Sequence, residues 1–423
     1  MLSKDMLGRP GAVTVDEARA VIDGSFRAPR AEAETLPLMD ALRRVVFSDI
    51  VSGASLPEFP RSVMDGYAVA ARDTYGATDS MPAYLTVAGE VLMGEEAKAA
   101  VSKGQTMRIS TGGMLPPGSD AVVMLEHVQA LDDGTVEVMR PAAPGENVVQ
   151  TGEDVKAGEL LLTRGHRLRP QDIGALAGIG LTSVEVYKRP RVAIINTGNE
   201  IIEADRKPGP GQVRDINSYN LAGLVMQAGC EPVRLGIFRD EYDDIRRAVG
   251  DGLVKADLVA ITGGSSVGTR DLTAKVIDGM GGPGVLVHGV SVRPGKPVII
   301  GLAGEKFVFG LPGHPVAVSV SFELFIRPLL KRLSGEIDPL GIAGIPQVRV
   351  VRARMTRNFS SAQGREDHLR VALELVDGEL WARPILGKSG LITTLVKAHG
   401  TVVIPLAKLG LEKGEWVDVR LFE

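Results

Sequence analysis

The sequence predicts an α/β protein of several domains, built around a doubly wound, mostly parallel α/β domain. Residues 190–335 alternate near-continuous apolar runs with amphipathic segments, which is typical of parallel strands covered by helices on both faces. Short β-rich runs separated by glycine and proline turns occupy about 53–149, and further strand-like runs follow residue 346. A chain of 423 residues has room for roughly two to four such domains.

Two helix starts frame the β-rich stretch. Thr14 followed by Glu17 is a capping-box pattern, which predicts a helix over 14–26. In RPQDIGALAGIGL the proline predicts another helix start, with Asp172 as its cap. The β-rich stretch is therefore expected to be an insertion between two helical segments.

The predicted domain boundaries lie where the sequence pattern changes between helical, β-rich and alternating βα segments. A long helix over 314–335 closes the α/β domain, and Pro328 should kink it or start its last turns. We expect a discontinuous helical or linker domain at 1–52 and 150–187, an inserted β domain at 53–149, the α/β domain at 188–336 and a C-terminal β domain at 340–423.

Composition excludes several function classes. The net charge of −4 argues against nucleic acid or an anionic membrane as a partner, so an anionic ligand needs a local basic pocket. We find no apolar leader and no run of 18 apolar residues, which predicts a cytoplasmic protein. Cys230, the single cysteine, is expected to be a small core residue in a reducing compartment. The six histidines show no metal-ligand spacing.

Four loops follow predicted strands of the α/β domain and are rich in glycine. They are TGNE at 197–200, GGSSVGTRD at 263–271, RPGKP at 293–297 after HGVSV, and LPGHP at 311–315. Ligands bind at the carboxyl edge of such sheets, and glycine-rich loops offer backbone N–H groups to anions. We expect a phosphate-bearing ligand there, near Arg293 and Lys296. Each loop alone also fits an ordinary glycine turn.

Acidic residues in the same loops indicate a divalent cation. Glu200, Asp240 and Asp271 should gather at this edge, and Mg²⁺ prefers carboxylates combined with water and phosphate. Helix capping is an alternative role for Asp240 and for Asp271. In the β-rich stretch, Asp65 precedes a glycine, where turn formation is the ordinary role of aspartate.

Taken together, the motifs resemble one family. The chain contains, in order, SVMDGYAV, RISTGGMLPPGSDAVV, TGEDVKAG, NTGNEI, IFRDEYDDI, TGGSSVGTRD, RPGKP and LPGHPVA. This series, which spans essentially the whole chain, resembles the molybdopterin molybdenumtransferase (MoeA) family, which includes the gephyrin E domain. The resemblance implies a four-part subunit, a homodimer, and Mg²⁺-dependent insertion of molybdate into adenylylated molybdopterin with release of AMP. It also allows contacts with molybdopterin adenylyltransferase and with molybdoenzyme chaperones.

The resemblance also assigns site residues. Those implied to be catalytic are Asp65, Thr111, Asp154, Glu200, Asp240 and Asp271, the last three as metal ligands. Those implied to bind substrate are Gly263, Gly264, Ser265, Ser266, Gly268, Arg293, Lys296, Pro297, Pro312, Gly313, Arg365 and Ser389. By the family's architecture, part of the β domain faces the cleft of the partner subunit.

Three positions depart from the family's pattern and leave alternatives open. His314 stands where many relatives carry asparagine, Arg293 where others carry lysine, and His288 at another basic position. These changes leave the choice between molybdate and tungstate open. A molybdopterin adenylyltransferase, to which the α/β domain alone is similar, and a non-catalytic dimeric scaffold are the rival functions. The additional domains and the retained charged positions favour the transferase.

Overall fold

The computed structural model describes residues 12–27, 32–131, 134–263, 267–337 and 349–422, without the side chains of 267–271. It divides into two compact units, a first formed by 1–34 with 187–423 and a second formed by 35–186. In the described ranges, none of the helices is long and apolar enough to span a bilayer.

The helices and strands have the following bounds. The α-helices are α1 Val15–Ser25, α2 Pro170–Gly178, α3 Asn217–Gln227, α4 Tyr242–Lys255, α5 Val267–Gly279, α6 Pro315–Ser321, α7 Arg327–Leu333 and α8 Thr393–Val396. Short 3₁₀ turns cover Leu38–Ala41, Ala71–Thr74 and Leu125–His127, and a π-helical turn covers Phe322–Ile326. The first strands are β1 Ala33–Pro37, β2 Ile50–Val51, β3 Arg61–Ser62, β4 Gly66–Val69, β5 Ala83–Val91, β6 Gln105–Ile109, β7 Ala121–Met124, β8 Val128–Ala130, β9 Thr135–Val138, β10 Val148–Val149, β11 Leu160–Leu162 and β12 Ser183–Tyr187. The others are β13 Arg191–Thr197, β14 Ile201–Ile202, β15 Val213–Arg214, β16 Glu231–Phe238, β17 Leu258–Gly263, β18 Pro283–His288, β19 Val292–Arg293, β20 Ile299–Ala303, β21 Lys306–Leu311, β22 Val350–Met355, β23 Phe359–Ser360, β24 Glu366–Val376, β25 Glu379–Pro384, β26 Gly400–Ile404, β27 Gly410–Leu411 and β28 Trp416–Leu421.

A six-stranded sheet with the order β16-β13-β17-β21-β20-β18 forms the α/β domain of the first unit. The pairs among its first four strands are parallel, and β20 runs antiparallel to both of its neighbours. Five strands therefore point the same way. One apolar core packs α1, α3, α6 and α7 on one face, and another packs α4 and α5 on the opposite face. The predicted doubly wound, mostly parallel fold is confirmed.

The C-terminal β domain of the first unit is a closed barrel. Its strands pair in the order β24-β25-β22-β28-β26, and β26 pairs again with β24. Alternate apolar side chains fill the interior, including Met355, Val371 and Val419. Closure leaves these five strands without a free edge between them. The predicted C-terminal β domain is confirmed.

The second unit contains a β domain and a helical part. Its main sheet has the order β7-β4-β6-β5-β9-β8, and apolar cores lie on both faces. A separate core joins the segment around Leu38 and Val46 to α2 through Leu176. The β sheet lies between these two chain segments in the sequence, as predicted for an insertion. The helix predicted to precede it in the same helical domain, α1, packs instead in the α/β core of the first unit.

Of the two predicted helix starts discussed above, the capping box at α1 is confirmed and the cap at α2 is not. At α1, Glu17 N–H donates to the Thr14 hydroxyl over 3.2 Å and Thr14 N–H donates to the Glu17 carboxylate over 2.7 Å, which confirms the capping box. At α2, the prediction that Asp172 is the cap was wrong. Pro170 is the first helical residue, and Asp172 reaches back to accept the Arg169 N–H over 2.8 Å.

Two other local predictions are confirmed. Cys230 is buried in the α/β core and forms no disulfide. Pro328 lies at the start of α7, directly after the π-helical turn. The last turns of the predicted long helix therefore begin at the proline, where a missing N–H costs little.

We expect Asp172→Asn to destabilise the second unit at neutral pH. Burial opposes ionisation of Asp172, but bonds from Arg169 and His166 outweigh it and lower the pKa from 3.8 to about 2. Because the folded-state pKa is depressed, the carboxylate's contribution of about 2 kcal/mol is present at neutral pH and is lost between pH 4 and 2. Thermal unfolding of both proteins measures it. Equal melting temperatures at pH 7, or a gap that persists at pH 2, would contradict this assignment, and the exposed Asp79→Asn is the control.

Candidate active site

The carboxyl ends of β13 and β17 lie against each other at the edge of the α/β sheet. Thr197 ends β13 and is paired with Gly263, which ends β17. A Cβ on Gly263 would lie 2.0 Å from the Thr197 carbonyl oxygen and 2.5 Å from its hydroxyl, and the φ of Gly263 is +137°. Only glycine fits there, so the strand ends can approach closely.

Asp240 lies beside this pair, in the loop after β16. Burial raises the pKa of Asp240, a hydrogen bond from Thr197 opposes that rise, and the charge of Glu200 adds to it. Within the described residues, Oδ1 of Asp240 is buried without a hydrogen-bond partner. The capping alternative for Asp240 is excluded, since Glu241 is the residue that precedes α4. The carboxylate is available to a cation or to a hydrogen-bond donor.

Part of the GGSSVGTRD loop lies outside the described residues. Gly264, Ser265 and Ser266 lie outside the described residues, and so do the side chains of Gly268 to Asp271. The backbone of Asp271 lies inside α5, which begins at Val267, so its capping alternative was wrong. Its role as a metal ligand stays a prediction.

A basic cavity of about 920 Å³ lies between the α/β domain and the barrel of the first unit. Seven of the predicted substrate residues line it, namely Arg293, Lys296, Pro297, Pro312, Gly313, Arg365 and Ser389. The sequence analysis missed three further basic side chains of its wall, namely His368, Arg370 and Lys388, and the departing His314 lines it as well. Asp367 is the only carboxylate among the described lining residues. The cavity is therefore strongly cationic.

The RPGKP loop reaches this cavity by an unpredicted route. The predicted strand HGVSV is wrong, because β18 ends at His288 and the chain then leaves the α/β sheet. Val292 and Arg293 form β19, which pairs in parallel with Glu366 and Asp367 of β24 in the barrel sheet. The loop thus joins the two domains that bound the cavity.

The acidic and basic parts of the site are neighbours and not one mixed cleft. Glu200 and Asp240 do not line the basic cavity. Gly263 shares a small gap with Pro297 and Pro312, and both prolines also line the cavity. The expectation that both signs of charge share one cleft is therefore replaced by two adjoining regions.

Arg370 is the basic residue that the sequence analysis should have singled out. Its side chain is 7% exposed, and burial, with a smaller effect of the Arg293 charge, lowers its pKa. It donates to the Gly387 carbonyl oxygen over 3.2 Å, while its Nε has no partner among the described residues and no carboxylate pairs with it there. The available signal was one arginine inside the apolar strand run HLRVALELV. A buried, unneutralised guanidinium needs an anion.

Arg365, a predicted substrate residue, differs from Arg370 because it is paired with a carboxylate. Its Nε donates to Asp367 over 3.0 Å, and Arg293 Nη1 lies 3.4 Å from the same carboxylate.

The hydroxyl of Ser389 lies 2.8 Å from Nδ1 of His314, which precedes α6. The His314 departure therefore places an imidazole in direct contact with a predicted substrate residue.

Asn217 was also missed, and it connects two loops of the site. Its Nδ2 donates to the Thr262 hydroxyl over 3.0 Å and to the Gly313 carbonyl oxygen over 2.9 Å. These bonds connect the LPGHP loop to the end of β17.

His288, another position that departs from the family's pattern, is the last residue of β18 and has an interaction partner.

The remaining predicted residues belong to the second unit. Thr111 donates to Asp65 from its backbone N–H over 2.7 Å and from its hydroxyl over 2.9 Å, which lowers the pKa of that exposed carboxyl. Asp154 is exposed on another loop, where its N–H donates to the Leu56 carbonyl oxygen. The pairing of Asp65 with Thr111 brings two of the three predicted residues together.

Comparison with known proteins covers both units. The MoeA N-terminal region (domain I and II) matches residues 13–180, a probable molybdopterin binding domain matches 193–332, and the MoeA C-terminal region (domain IV) matches 352–422.

Full-length relatives agree with these matches. A putative molybdopterin biosynthesis protein of Methanocaldococcus jannaschii is 37% identical over 401 residues, covering 93% of each chain. Molybdopterin molybdenumtransferase of Bacillus subtilis is 33% identical, covering 98% of this chain and 95% of its own. The crystal structure of a MoeA protein from Pyrococcus horikoshii superimposes with a TM-score of 0.81 at 36% identity, covering 98% of this chain and all of that one. The chain therefore belongs to the MoeA family of molybdenum cofactor biosynthesis enzymes.

Proposed function

We propose that this enzyme inserts molybdate into adenylylated molybdopterin and releases AMP. The buried Arg370, which has no carboxylate partner in the described part of the chain, is the observation that carries this proposal. Molybdate is a tetrahedral dianion with four acceptor oxygens, so it can neutralise Arg370 and accept bonds from neighbouring donors. A neutral substrate would leave the guanidinium unpaired.

The surrounding donors suit the same ligand. Lys296 and Lys388 reach the cavity from the two domains, and each ammonium offers three N–H groups. Ser389 adds a hydroxyl, in contact with His314. With Arg370, these groups supply charge and hydrogen bonds from several directions, as a tetrahedral oxyanion requires. They would hold molybdate beside the Pro297 and Pro312 wall, on the side nearest Gly263.

Mg²⁺ fits the acidic region. The orphaned Oδ1 of Asp240, the nearby charge of Glu200 and the raised pKa of Asp240 are what a carboxylate site without its cation should display. Glu200 and Asp240 would hold the ion, with Asp271 as the third expected ligand. When bound, Mg²⁺ supplies positive charge that neutralises the pyrophosphate of the substrate.

In this proposal, the acidic region, the strand ends and the cationic wall each have a different role. Asp240, made basic by burial, orients a cation or a donor at the end of β13, and Thr197 fixes its second oxygen. Gly263 lets the ends of β13 and β17 approach closely, which keeps Thr197 beside Asp240. The cationic wall keeps molybdate next to the pyrophosphate, whose cleavage frees AMP.

We propose a cytoplasmic homodimer that receives adenylylated molybdopterin, with contacts to molybdopterin adenylyltransferase and to molybdoenzyme chaperones. Light scattering tests the dimer, whose mass should be twice the 44.8 kDa of one chain.

We expect Lys296→Ala and Asp271→Asn to abolish cofactor formation and leave the assembly state unchanged. The first removes a cavity cation, and the second removes an expected metal ligand. The measurement is AMP release from adenylylated molybdopterin with Mg²⁺, while molybdate and tungstate are titrated separately. Lys413→Ala, on an exposed barrel loop, is the control.

Each outcome of this assay separates the candidate functions. Molybdate-dependent AMP release supports the transferase, whereas release that depends on tungstate alone indicates a tungstate-selective enzyme. ATP consumption without metal insertion would favour an adenylyltransferase. Partner binding that survives the loss of Asp271, without AMP release in the wild type, would favour a scaffold.

We expect Arg370→Gln to weaken oxyanion binding by about tenfold or more, since a charge-assisted bond contributes about 1.5–3 kcal/mol. Stability should be unchanged or higher, because the substitution removes a buried charge that lacks a carboxylate. Calorimetric titration with molybdate and thermal unfolding measure the two effects. Arg352→Gln, on the outer face of the same barrel, is the control. Wild-type affinity in Arg370→Gln would contradict the role of Arg370 in binding.

We expect Asp240→Asn to raise the melting temperature and to weaken Mg²⁺ binding. A raised carboxyl pKa means that the charged form destabilises the fold at neutral pH, and asparagine removes this cost. Wild-type Mg²⁺ affinity should fall as the pH drops toward 5, because the ion displaces the proton. The experiment is Mg²⁺ titration from pH 8 to pH 5. A variant that is less stable, or that binds Mg²⁺ normally, would contradict this assignment.

A further inference from the structure

Asp367 is the anomaly of the basic cavity. It is buried, and among the described lining residues it is the only carboxylate facing a wall of cations. A negative charge beside an oxyanion site lowers the local positive potential, so simple Coulomb attraction gives no reason for it. Its contacts supply a different reason.

Three donors converge on the Asp367 carboxylate. Arg365 Nε donates to Oδ1 over 3.0 Å, and the Ser361 hydroxyl donates to Oδ2 over 2.9 Å. Arg293 Nη1 lies 3.4 Å from Oδ2. Arg293 comes from β19, whereas Arg365 precedes β24, so one carboxylate holds arginines from two chain segments.

The two arginines keep most of their donors. A guanidinium has five N–H groups, and the bonds to Asp367 use one from each. The side chains of Arg293 and Arg365 remain 55% and 36% exposed, and both line the cavity. Asp367 thus engages one N–H group of each guanidinium and leaves the other donors for a ligand in the cavity.

We propose that Asp367 is a positioning residue that orders Arg293 and Arg365 in advance for the oxyanion, an inference that rests on the proposed function. Long arginine side chains lose conformational entropy when they bind a ligand, and a partner that orders them beforehand removes that cost from binding. The gain in order outweighs the loss of positive potential, because the Asp367 carboxylate is buried and already bonded to its donors, whereas both arginine side chains stay partly exposed.

The experiment is calorimetric titration of wild-type protein and Asp367→Asn with molybdate and with tungstate. We expect Kd to rise about tenfold or more, since two arginines lose their anchor. The KM for molybdate in AMP release should rise by a similar factor, while kcat at saturating molybdate stays near the wild-type value. Asp418→Asn, an exposed acid on β28 of the same barrel, is the matched control.

A second variant separates position from charge. Asp367→Glu keeps the charge and moves the carboxylate by one methylene, so positioning predicts weaker binding and charge compensation predicts wild-type affinity. In an Arg293→Gln/Arg365→Gln background, Asp367→Asn should have no additional effect on Kd. The Asp367→Glu comparison also serves if Asp367→Asn does not fold, which thermal unfolding reveals.

The outcomes distinguish this inference from the function on which it rests. If the wild type binds neither oxyanion, the proposed function fails. If the wild type binds molybdate and Asp367→Asn binds it equally or more tightly, only the positioning role of Asp367 is overturned. A drop in kcat without a change in KM would also overturn it.

Discussion

The pairing of β19 with β24 is the contact on which the basic cavity depends. After His288 the chain leaves the edge of the α/β sheet, where β18 pairs with β20, and buried N–H and C=O groups must find new partners. The barrel strand β24 supplies them through Glu366 and Asp367. Arg293 is thereby placed opposite Asp367, and the return to β20 carries the RPGKP loop over the wall of the cavity. Without this exchange between sheets, the loop would have no fixed position relative to the barrel.

Unneutralised charge is the common property of the two regions of the site. Arg370 lies buried without a carboxylate partner in the described chain, and Asp240 has an orphaned oxygen. Each arrangement costs folding free energy, because burial disfavours the charged form of both groups. Asp172, in the second unit, has the opposite arrangement, with bonds from His166 and Arg169 that stabilise its charge. The contrast separates a carboxylate whose charge is stabilised by its partners from two groups whose charge is not, and the latter are the ones that the proposed function assigns to ligand binding.

Sequence predicted the features that arise from local patterns. Apolar periodicity predicted the strands and helices of the α/β domain, and the glycine-rich loops could be placed at its carboxyl edge because parallel strands end together. The β19–β24 pairing could not be predicted, since two residues carry no periodic signal and their partner lies more than seventy positions away. The error at Asp172 is a local one. The helix begins at Pro170, so Asp172 lies at its third position and bonds back to Arg169 instead of preceding the helix.

Arg365 and Arg370 show why motif position alone did not identify the residue that meets the ligand's charge. Both are arginines of one segment, five positions apart, and both line the cavity. Arg365 lies in a polar turn and is paired with Asp367, whereas Arg370 lies within a strand whose neighbours are apolar. Neutralisation by Asp367 leaves Arg365 suited to give direction through its remaining N–H groups. In the proposed site, the net charge of the oxyanion is therefore balanced by Arg370 and the lysines, while Arg365, already paired with Asp367, orients the oxyanion.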